Sequence, residues 1–254
     1  MNPPEYDAGT YGDRMAGVYD DWFGTPGNTD EVVSFLSELA GQGRALELGV
    51  GTGRIALPLA EKGIEVHGID ASEAMVEKLR AKPGGQDIPV TIGDFADVDV
   101  GERFSLVYVV FNTVFALLTQ EDQVRCFANV GGRLDEGGAF VLEAFVPDPA
   151  RLAGGEVTQT KRVEVDRVYL ETSRYDPVEQ RVYSQNISMG ETETKLYPVQ
   201  IRYAWPSELD LMARLAGLRL RERLGGWRRE PFEASSNNHV SVYEKEPSAE
   251  MADG

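Results

Sequence analysis

Between Ala45 and Gly63 the chain reads ALELGVGTGRIALPLAEKG: an apolar strand, a run of alternating glycines, then the start of an amphipathic helix. No other stretch constrains the fold as tightly. A strand that ends in a glycine turn and continues as a helix is the opening unit of a doubly wound sheet. Glycine at Gly49, Gly51 and Gly53 permits tight backbone torsions, and each missing Cβ lets a ligand approach the main chain. The free N–H groups of the helix start face the same spot.

The middle of the chain repeats this alternation. Strands are read at ALELGV, EVHGID, PVTIGD, FSLVYVVF and GAFVLEAF, and helices at GRIALPLAEKG, SEAMVEKLRAK and QEDQVRCFANVGGRL. Such a pattern builds a parallel sheet with helices on both faces, and near-continuous apolar strands such as LVYVVF suit burial on both sides. Upstream, YGDRMAGVYDDWFG carries Tyr11, Met15, Val18, Tyr19 and Phe23 at helical spacing, and Asp30 is placed to cap EVVSFLSELA. From Glu156 the period changes to two (Val163/Val165, Val168/Leu170), YDPVEQ supplies a turn and KLYPVQIRYAW a further strand. PSELDLMARLAGL reads as a helix with Ser207 as its N-cap and Gly217 as its stop, and LRERLGGW and HVSVYEK as closing strands. The expected fold class is α/β, a doubly wound Rossmann-like core over 40–155 and 204–247. An N-terminal helical arm or lid over 1–39 and an antiparallel β insertion over 156–203, serving as cap or interface, complete it.

Composition excludes some partners. Asp and Glu number 42 against 25 Lys and Arg, a formal charge of -17 that repels a phosphate backbone, so no nucleic acid is expected. The longest apolar run, SLVYVVFNTVFALL, is interrupted by Asn112 and Thr113 and falls short of the roughly 20 residues of a membrane span. The start, MNPPEYDAGT, is acidic and polar, unlike a secretory signal. Cys126 is alone, so no intrachain disulfide forms. The expectation is a cytoplasmic protein acting on a small molecule, away from membranes.

The glycine spacing is G-x-G-x-G, whereas the dinucleotide fingerprint places its third glycine one position later, where this chain has Arg54. Glu47, just before the turn, would repel a pyrophosphate and attract a ligand carrying sulfonium and ammonium groups. Asp70 closes the next strand, placed to accept both hydroxyls of a ribose or to cap the helix that Ser72 and Glu73 begin. Asp94 and Phe95, after the third strand, suit the exocyclic amine and the face of an adenine, or simply end the strand.

The segments ELGVGTG, GIDAS and GDF resemble the first three motifs of the class I S-adenosylmethionine-dependent methyltransferases, over about residues 43–145 and again in the final helix and strands. The resemblance implies a Rossmann-like sheet of about seven strands with the last pair reversed, and S-adenosyl-L-methionine lying across the carboxyl ends of the strands. It implies that Gly49 and Gly51 flank the methionine moiety and that Glu47 sets the amino group through backbone or water. Asp70 would hold the ribose, Asp94 and Phe95 the adenine, and Ala71 and Met75 would pad the adenosine. Tyr19 and Phe111 are cofactor-side candidates, Tyr19 from the lid helix. At the fourth strand end, Phe111 to Leu118, the family brings substrate to the methyl donor. Tyr11, Asn112 and Phe115 are the catalytic candidates there, with Thr113 read equally as a turn cap.

The arm, the F-N-T-V-F segment and the insertion resemble small-molecule N-methyltransferases of antibiotic biosynthesis, including aminosugar and lincosamide types. The expected reaction is N-methylation of a small-molecule amine. An amine nucleophile needs only desolvation and aim, whereas a hydroxyl or carbon acid needs a base, and no histidine or lysine base is evident in the cleft. His67 reads as a packed strand residue; His239, opening the last strand, is a candidate base only if that end reaches the cleft. No cluster has metal-ligand spacing, so no metal is expected. The alternatives are O- or C-methylation, a nicotinamide-dependent oxidoreductase or a non-catalytic cofactor-binding protein. Self-association, if any, is expected through the insertion. Its tyrosines, Tyr169, Tyr175, Tyr183 and Tyr197, face either substrate or neighbouring strands.

Overall fold

The apolar run after Phe104 forms a strand, Phe104–Val109 (β4), whose alternate side chains enter two separate cores. Val107 and Val109 face one, Leu106 and Tyr108 the other, and all four are fully buried. That two-sided burial is the mark of a central strand in a layered α/β sheet. The structure, a computed structural model, describes residues 6–23, 28–97, 99–148 and 155–245.

Beside β4 lie Ala45–Leu48 (β1), Val66–Asp70 (β2), Val90–Ile92 (β3) and Leu134–Phe145 (β5), with Leu218–Leu224 (β10) and Asn238–Lys245 (β11) completing a sheet ordered β10-β11-β5-β4-β1-β2-β3. β1 pairs in parallel with both β2 and β4, and the order reverses there, so the sheet's carboxyl edge opens a crevice at β1 and β4. Only β11 runs against the rest: it is antiparallel to β5 and to β10, which makes β10 parallel to β5. The expected reversed pair is therefore one reversed strand.

The helices Thr29–Ala40 (α3) and Ala56–Glu61 (α4) supply Leu36 and Leu59 to one core. Gln120–Arg133 (α6) and Pro206–Leu215 (α7) supply Phe127 and Met212 to the other. Glu73–Arg80 (α5) follows β2 and is capped by Ser72, whose hydroxyl accepts from Met75 N–H at 3.2 Å. Ser207 does not cap α7. Trp205 holds that place with Pro206 as the first helical residue, the position where a missing N–H costs nothing. Likewise α3 begins at Thr29, one residue ahead of the expected cap Asp30.

The expected arm helix is broken. Thr10–Met15 (α1) and Tyr19–Phe23 (α2) are separated by Ala16–Val18, with Gly17 at the break. The arm is nevertheless fastened to the core: Ser72 Oγ donates to Asp13 Oδ1 at 2.6 Å, and Thr52 Oγ1 donates to Asp20 Oδ1 at 2.7 Å. Contact is close enough that a Cβ on Gly12 would fall 2.4 Å from that of Ser72. The insertion is a separate antiparallel sheet, Glu156–Val163 (β6), Arg167–Asp176 (β7), Arg181–Gly190 (β8) and Thr194–Arg202 (β9), in that order. Tyr197 of β9 joins Met15 and Met75 in a small apolar cluster that ties arm, core and insertion together.

Candidate active site

The glycine turn is built from left-handed backbone. Gly49, Gly51 and Gly53 have φ of +73°, +54° and +80°. They differ in surroundings. A Cβ on Gly53 would lie 2.2 Å from Leu79 Cδ1, and one on Gly49 2.5 Å from Thr113 Cγ2, whereas one on Gly51 would meet nothing within 4 Å. Gly53 is glycine for packing; Gly51 leaves open space beside a cleft.

That cleft holds about 100 Å³ and lies at the carboxyl ends of β1, β2 and β3. Its floor and one wall are Gly49, Gly51, Asp70, Ala71 and Met75; Asp94 and Phe95 form the far side. The sequence-selected residues of three separate motifs thus meet in one place. Asp70 spans the turn: Oδ2 accepts from Gly51 N–H at 2.7 Å and Oδ1 from Ser72 N–H at 2.9 Å, so each oxygen keeps capacity for a further donor. Burial raises its pKa, with these backbone donors opposing the shift. Asp94 Oδ1 accepts from Ala96 N–H at 2.9 Å, which turns the chain and seats the Phe95 ring in the core's edge.

Glu47 behaves differently from the sequence argument. Its side chain is 3% exposed, lines neither this cleft nor the neighbouring cavity, and accepts from the Tyr108 hydroxyl at 3.0 Å. Burial pushes its carboxyl up to about 8, so near neutral pH it lacks the negative charge on which that argument leaned.

A second cavity, about 630 Å³, opens between the arm, the end of β4 and the inner face of the insertion. Arm residues Trp22 and Phe23, strand-end residues Phe111 and Asn112, and insertion residues Asn186 and Gln200 contribute to it. Tyr169 of the insertion lines it, whereas Tyr175, Tyr183 and Tyr197 do not. The two spaces meet at Tyr6, Tyr11, Tyr19, Thr113 and Ala116, which line both. Burial raises the pKa of both Tyr11 and Tyr19, so each hydroxyl stays neutral around pH 7.

The corner after β4 is strained. Phe111 and Asn112 have φ of +58° and +64°, unusual for residues with a Cβ. Glu143 holds it: Oε2 accepts from Phe111 N–H at 2.8 Å, while Oε1 accepts from Trp227 Nε1 at 2.8 Å. Asn112 Oδ1 accepts from Phe145 N–H at 2.6 Å, so part of the Asn112 amide serves the corner itself. Phe115 is corrected outright: it is 0% exposed, packs on Phe145 with centroids 5.0 Å apart and lines neither cavity. The short 3-10 turn Thr113–Ala116 points Phe115 inward and leaves Thr113 and Ala116 at the junction.

His67 bonds Thr91 Oγ1 at 3.0 Å, and His239 lies buried against Ser241 Oγ at 2.8 Å; neither lines a cavity. Cys126 is buried in α6. Among the described residues no three His, Cys, Asp or Glu side chains gather as a metal site, and no helix is long and apolar enough to cross a membrane. Sequence reasoning passed over Tyr6, Trp22, Ala116 and the insertion polar residues, and left Thr113 between cleft residue and turn cap. Trp22 and Tyr6 carried a signal only as aromatics flanking the arm.

Comparison with known proteins accounts for this geometry. Residues 45–138 match the methyltransferase domain family. Over 202 residues the chain is 31% identical to the cypemycin N-terminal methyltransferase of a Streptomyces species, covering 79% of this chain and 82% of that protein. A sugar N,N-dimethyltransferase of Saccharopolyspora spinosa, acting on dTDP-4-amino-2,3,4,6-tetradeoxy-D-glucose, is 28% identical over 52% of this chain and 55% of its own. The solved CcbJ methyltransferase of Streptomyces caelestis is 44% identical, with a TM-score of 0.90 over 95% of this chain and 100% of that one. A glycine turn open at Gly51, an acid bonded across it at the next strand end, and a cavity adjoining both fit an adenosine-bearing methyl donor; the chain belongs to the class I S-adenosylmethionine-dependent methyltransferases.

Proposed function

We propose that this methyltransferase N-methylates a small-molecule amine of the natural-product kind, with the amine seated in the 630 Å³ cavity. The observation that carries the reading is the junction. The acceptor-sized cavity and the glycine-turn cleft share Tyr11, Tyr19 and Thr113, so an amine in one faces a methyl donor in the other. Two relatives whose names specify N-terminal methylation and sugar N,N-dimethylation support the choice of nitrogen.

In this reading Asp70 holds the ribose through the capacity its backbone bonds leave free. Asp94 and Phe95 hold the adenine, with Ala71 and Met75 against the adenosine. Gly49 and Gly51 flank the methionine portion, and Glu47 acts through its backbone. S-adenosyl-L-methionine supplies an activated methyl on a sulfonium. The protein's own work is to aim the nitrogen and exclude water. Tyr11 and Tyr19 wall the meeting point and Phe111 and Asn112 the acceptor side of it, with residues 1–39 as a lid and 156–203 as a cap. No histidine lines the cavity among the described residues; contrary to the sequence expectation a lysine, Lys161, does, but its ammonium pairs with Glu171 Oε2 at 2.8 Å, which still suits a neutral amine better than a hydroxyl. We place the enzyme in the cytoplasm, in keeping with its single free, buried cysteine. Any self-association runs through the insertion, whose edge strand β6 is exposed along nearly all its length.

The test has two stages. Calorimetry with S-adenosylhomocysteine gives micromolar binding, and no binding refutes the cofactor site. Labelled S-adenosylmethionine is then incubated with a panel of amines and phenols: transfer to nitrogen supports the assignment, and transfer to oxygen alone rejects it.

A further inference from the structure

One face of the insertion roofs the acceptor cavity. In the β7–β8 register Glu171 stands opposite Asn186, and Ser173 opposite Ser184. Alternation along the strands puts all four side chains on the same face. Glu171, Ser184 and Asn186 line the cavity, and Val199 of β9, opposite Ser184, continues the face as an apolar wall. A roof that only kept water out would be apolar throughout. This one carries a polar strip across two adjacent strands.

The direction of hydrogen bonding along the strip follows from its donors. Ser173 Oγ donates to Glu171 Oε1 at 3.3 Å and lies 2.8 Å from Ser184 Oγ. A hydroxyl has one proton. With that of Ser173 given to the carboxylate, the Ser184 hydroxyl donates to Ser173, and the Ser184 oxygen keeps acceptor capacity only. Lys161 Nζ holds the other carboxylate oxygen, Glu171 Oε2, at 2.8 Å. The strip thus offers fixed acceptors to the cavity and calls for donors on a ligand. The cations there are already committed. Among the described residues the basic side chains lining the cavity are Lys161 and Arg162. Lys161 pairs with Glu171, and Arg162 Nε bonds Glu164 Oε1 at 3.0 Å while its guanidinium sits 4.1 Å from the Tyr169 ring centroid. Asp21 adds a second carboxylate to the lining. A phosphate brought here must displace a carboxylate from its cation and then face both acids.

We propose that Glu171 and Ser184 form a specificity-determining subsite that takes hydroxyl groups on the acceptor and rejects acceptors linked to a nucleoside diphosphate. Both residues line the acceptor cavity and neither lines the cofactor cleft, so they meet a part of the acceptor away from the reacting nitrogen. This rests on the assignment of the cavity to an amine acceptor. It narrows that acceptor to a hydroxylated amine free of phosphate.

Three probes isolate the effect: the methyl glycosides of 4-amino-4,6-dideoxyhexoses in the gluco and galacto forms, their 2,3-dideoxy counterparts, and the same aminosugars linked to dTDP. Each is titrated by calorimetry into the full chain saturated with S-adenosylhomocysteine. The better-bound diol glycoside is expected to bind about tenfold more tightly than its dideoxy counterpart, because a site built on hydrogen bonds rejects a ligand that leaves them unmade. The dTDP-linked form is expected to bind about tenfold more weakly than the methyl glycoside. Glu171→Ala and Ser184→Ala each cut the diol preference about threefold or more and change the dideoxy affinity less than about twofold. S-adenosylhomocysteine affinity, measured first, reports that each variant is folded. Equal binding of diol and dideoxy forms, a preference that survives either substitution intact, a dTDP-linked form bound as tightly as its glycoside, or no glycoside binding at all overturns the subsite. Those outcomes leave the amine reading to the labelled-cofactor panel, where transfer to oxygen alone overturns both.

Discussion

Gly51 and Gly53 look alike in sequence and differ in the folded chain. Both need positive φ, so alanine strains either by about 1 kcal/mol or more. At Gly53 the added methyl also collides with Leu79, a fully buried side chain of α5. Gly53→Ala is expected to cost about 2–4 kcal/mol of folding stability, read by urea titration, through strain and overpacking together. Gly51→Ala costs only the strain, but its methyl projects into the cofactor cleft, so S-adenosylhomocysteine affinity falls at least tenfold with a smaller change in stability. If the two variants behave alike, the division between a packing glycine and a ligand-facing one is wrong. Asp70 gives the complementary experiment. Asp70→Ala removes the acceptor assigned to the ribose and the bond to Gly51 N–H, so affinity drops more than tenfold, above about 1.4 kcal/mol. Unchanged binding in calorimetry removes the ribose assignment.

Elements show where sequence reading succeeds. The core strands were legible because an apolar run bounded by turn residues has few other uses, and the insertion because period-two patterning persisted through β6, β7 and β8. The broken arm was not legible: Tyr11, Met15 and Tyr19 fit one helical face, but the break at Ala16–Val18 is imposed by docking on α5 and β9, elements far away in sequence. The cofactor residues were legible because each sits at a strand end beside its own motif. The acceptor cavity was not, since its walls come from the arm, β4 and the insertion, and no local pattern records how they face each other. Phe115 failed for a related reason. Reading FNTVF as a strand end puts polar and aromatic residues into the cleft, but two successive positive-φ residues turn the chain there and send Phe115 into the core. Glu143 stabilises that turn, and its removal is a test at this scale. Glu143→Ala strips acceptors from both Phe111 N–H and the Trp227 indole N–H, donors that then lose their partners. The expected cost is about 2–4 kcal/mol in urea unfolding. Trp227 packs edge-on against Phe35 at 5.5 Å, so its fluorescence should report the same loss. A change below about 0.5 kcal/mol would show that the corner holds without Glu143.

At the scale of the whole molecule, two buried groups outside the cavities give the fold opposite responses to pH. His239 is held down to about 4 by burial, helped by the Arg223 charge, against an ordinary value of 6.5. The unfolded chain therefore binds a proton that the native chain refuses, and stability falls as pH drops from about 6.5 toward 4. Glu47 works the other way. Burial lifts its carboxyl from 4.5 to about 8, so between those values the native state holds a proton the unfolded chain has lost. Its contribution is fully present below about 4.5 and is lost as pH rises through 8. Between about 4.5 and 6.5 the two slopes oppose each other; between 6.5 and 8 only that of Glu47 remains. Glu47→Gln, which keeps an acceptor for the Tyr108 hydroxyl and removes the ionisation, should therefore flatten the decline in stability from pH 6.5 to 8 and, by removing the opposing slope, steepen the loss of stability from pH 6.5 down to 5. His239→Asn should lose its slope only on the acid side, leaving the decline above pH 6.5 as in wild type. Urea unfolding of wild type and both variants at pH 5, 6.5 and 8 separates the contributions. A Glu47→Gln chain whose stability still falls as steeply as wild type above pH 6.5 would mean that Glu47 is already ionised in the native fold.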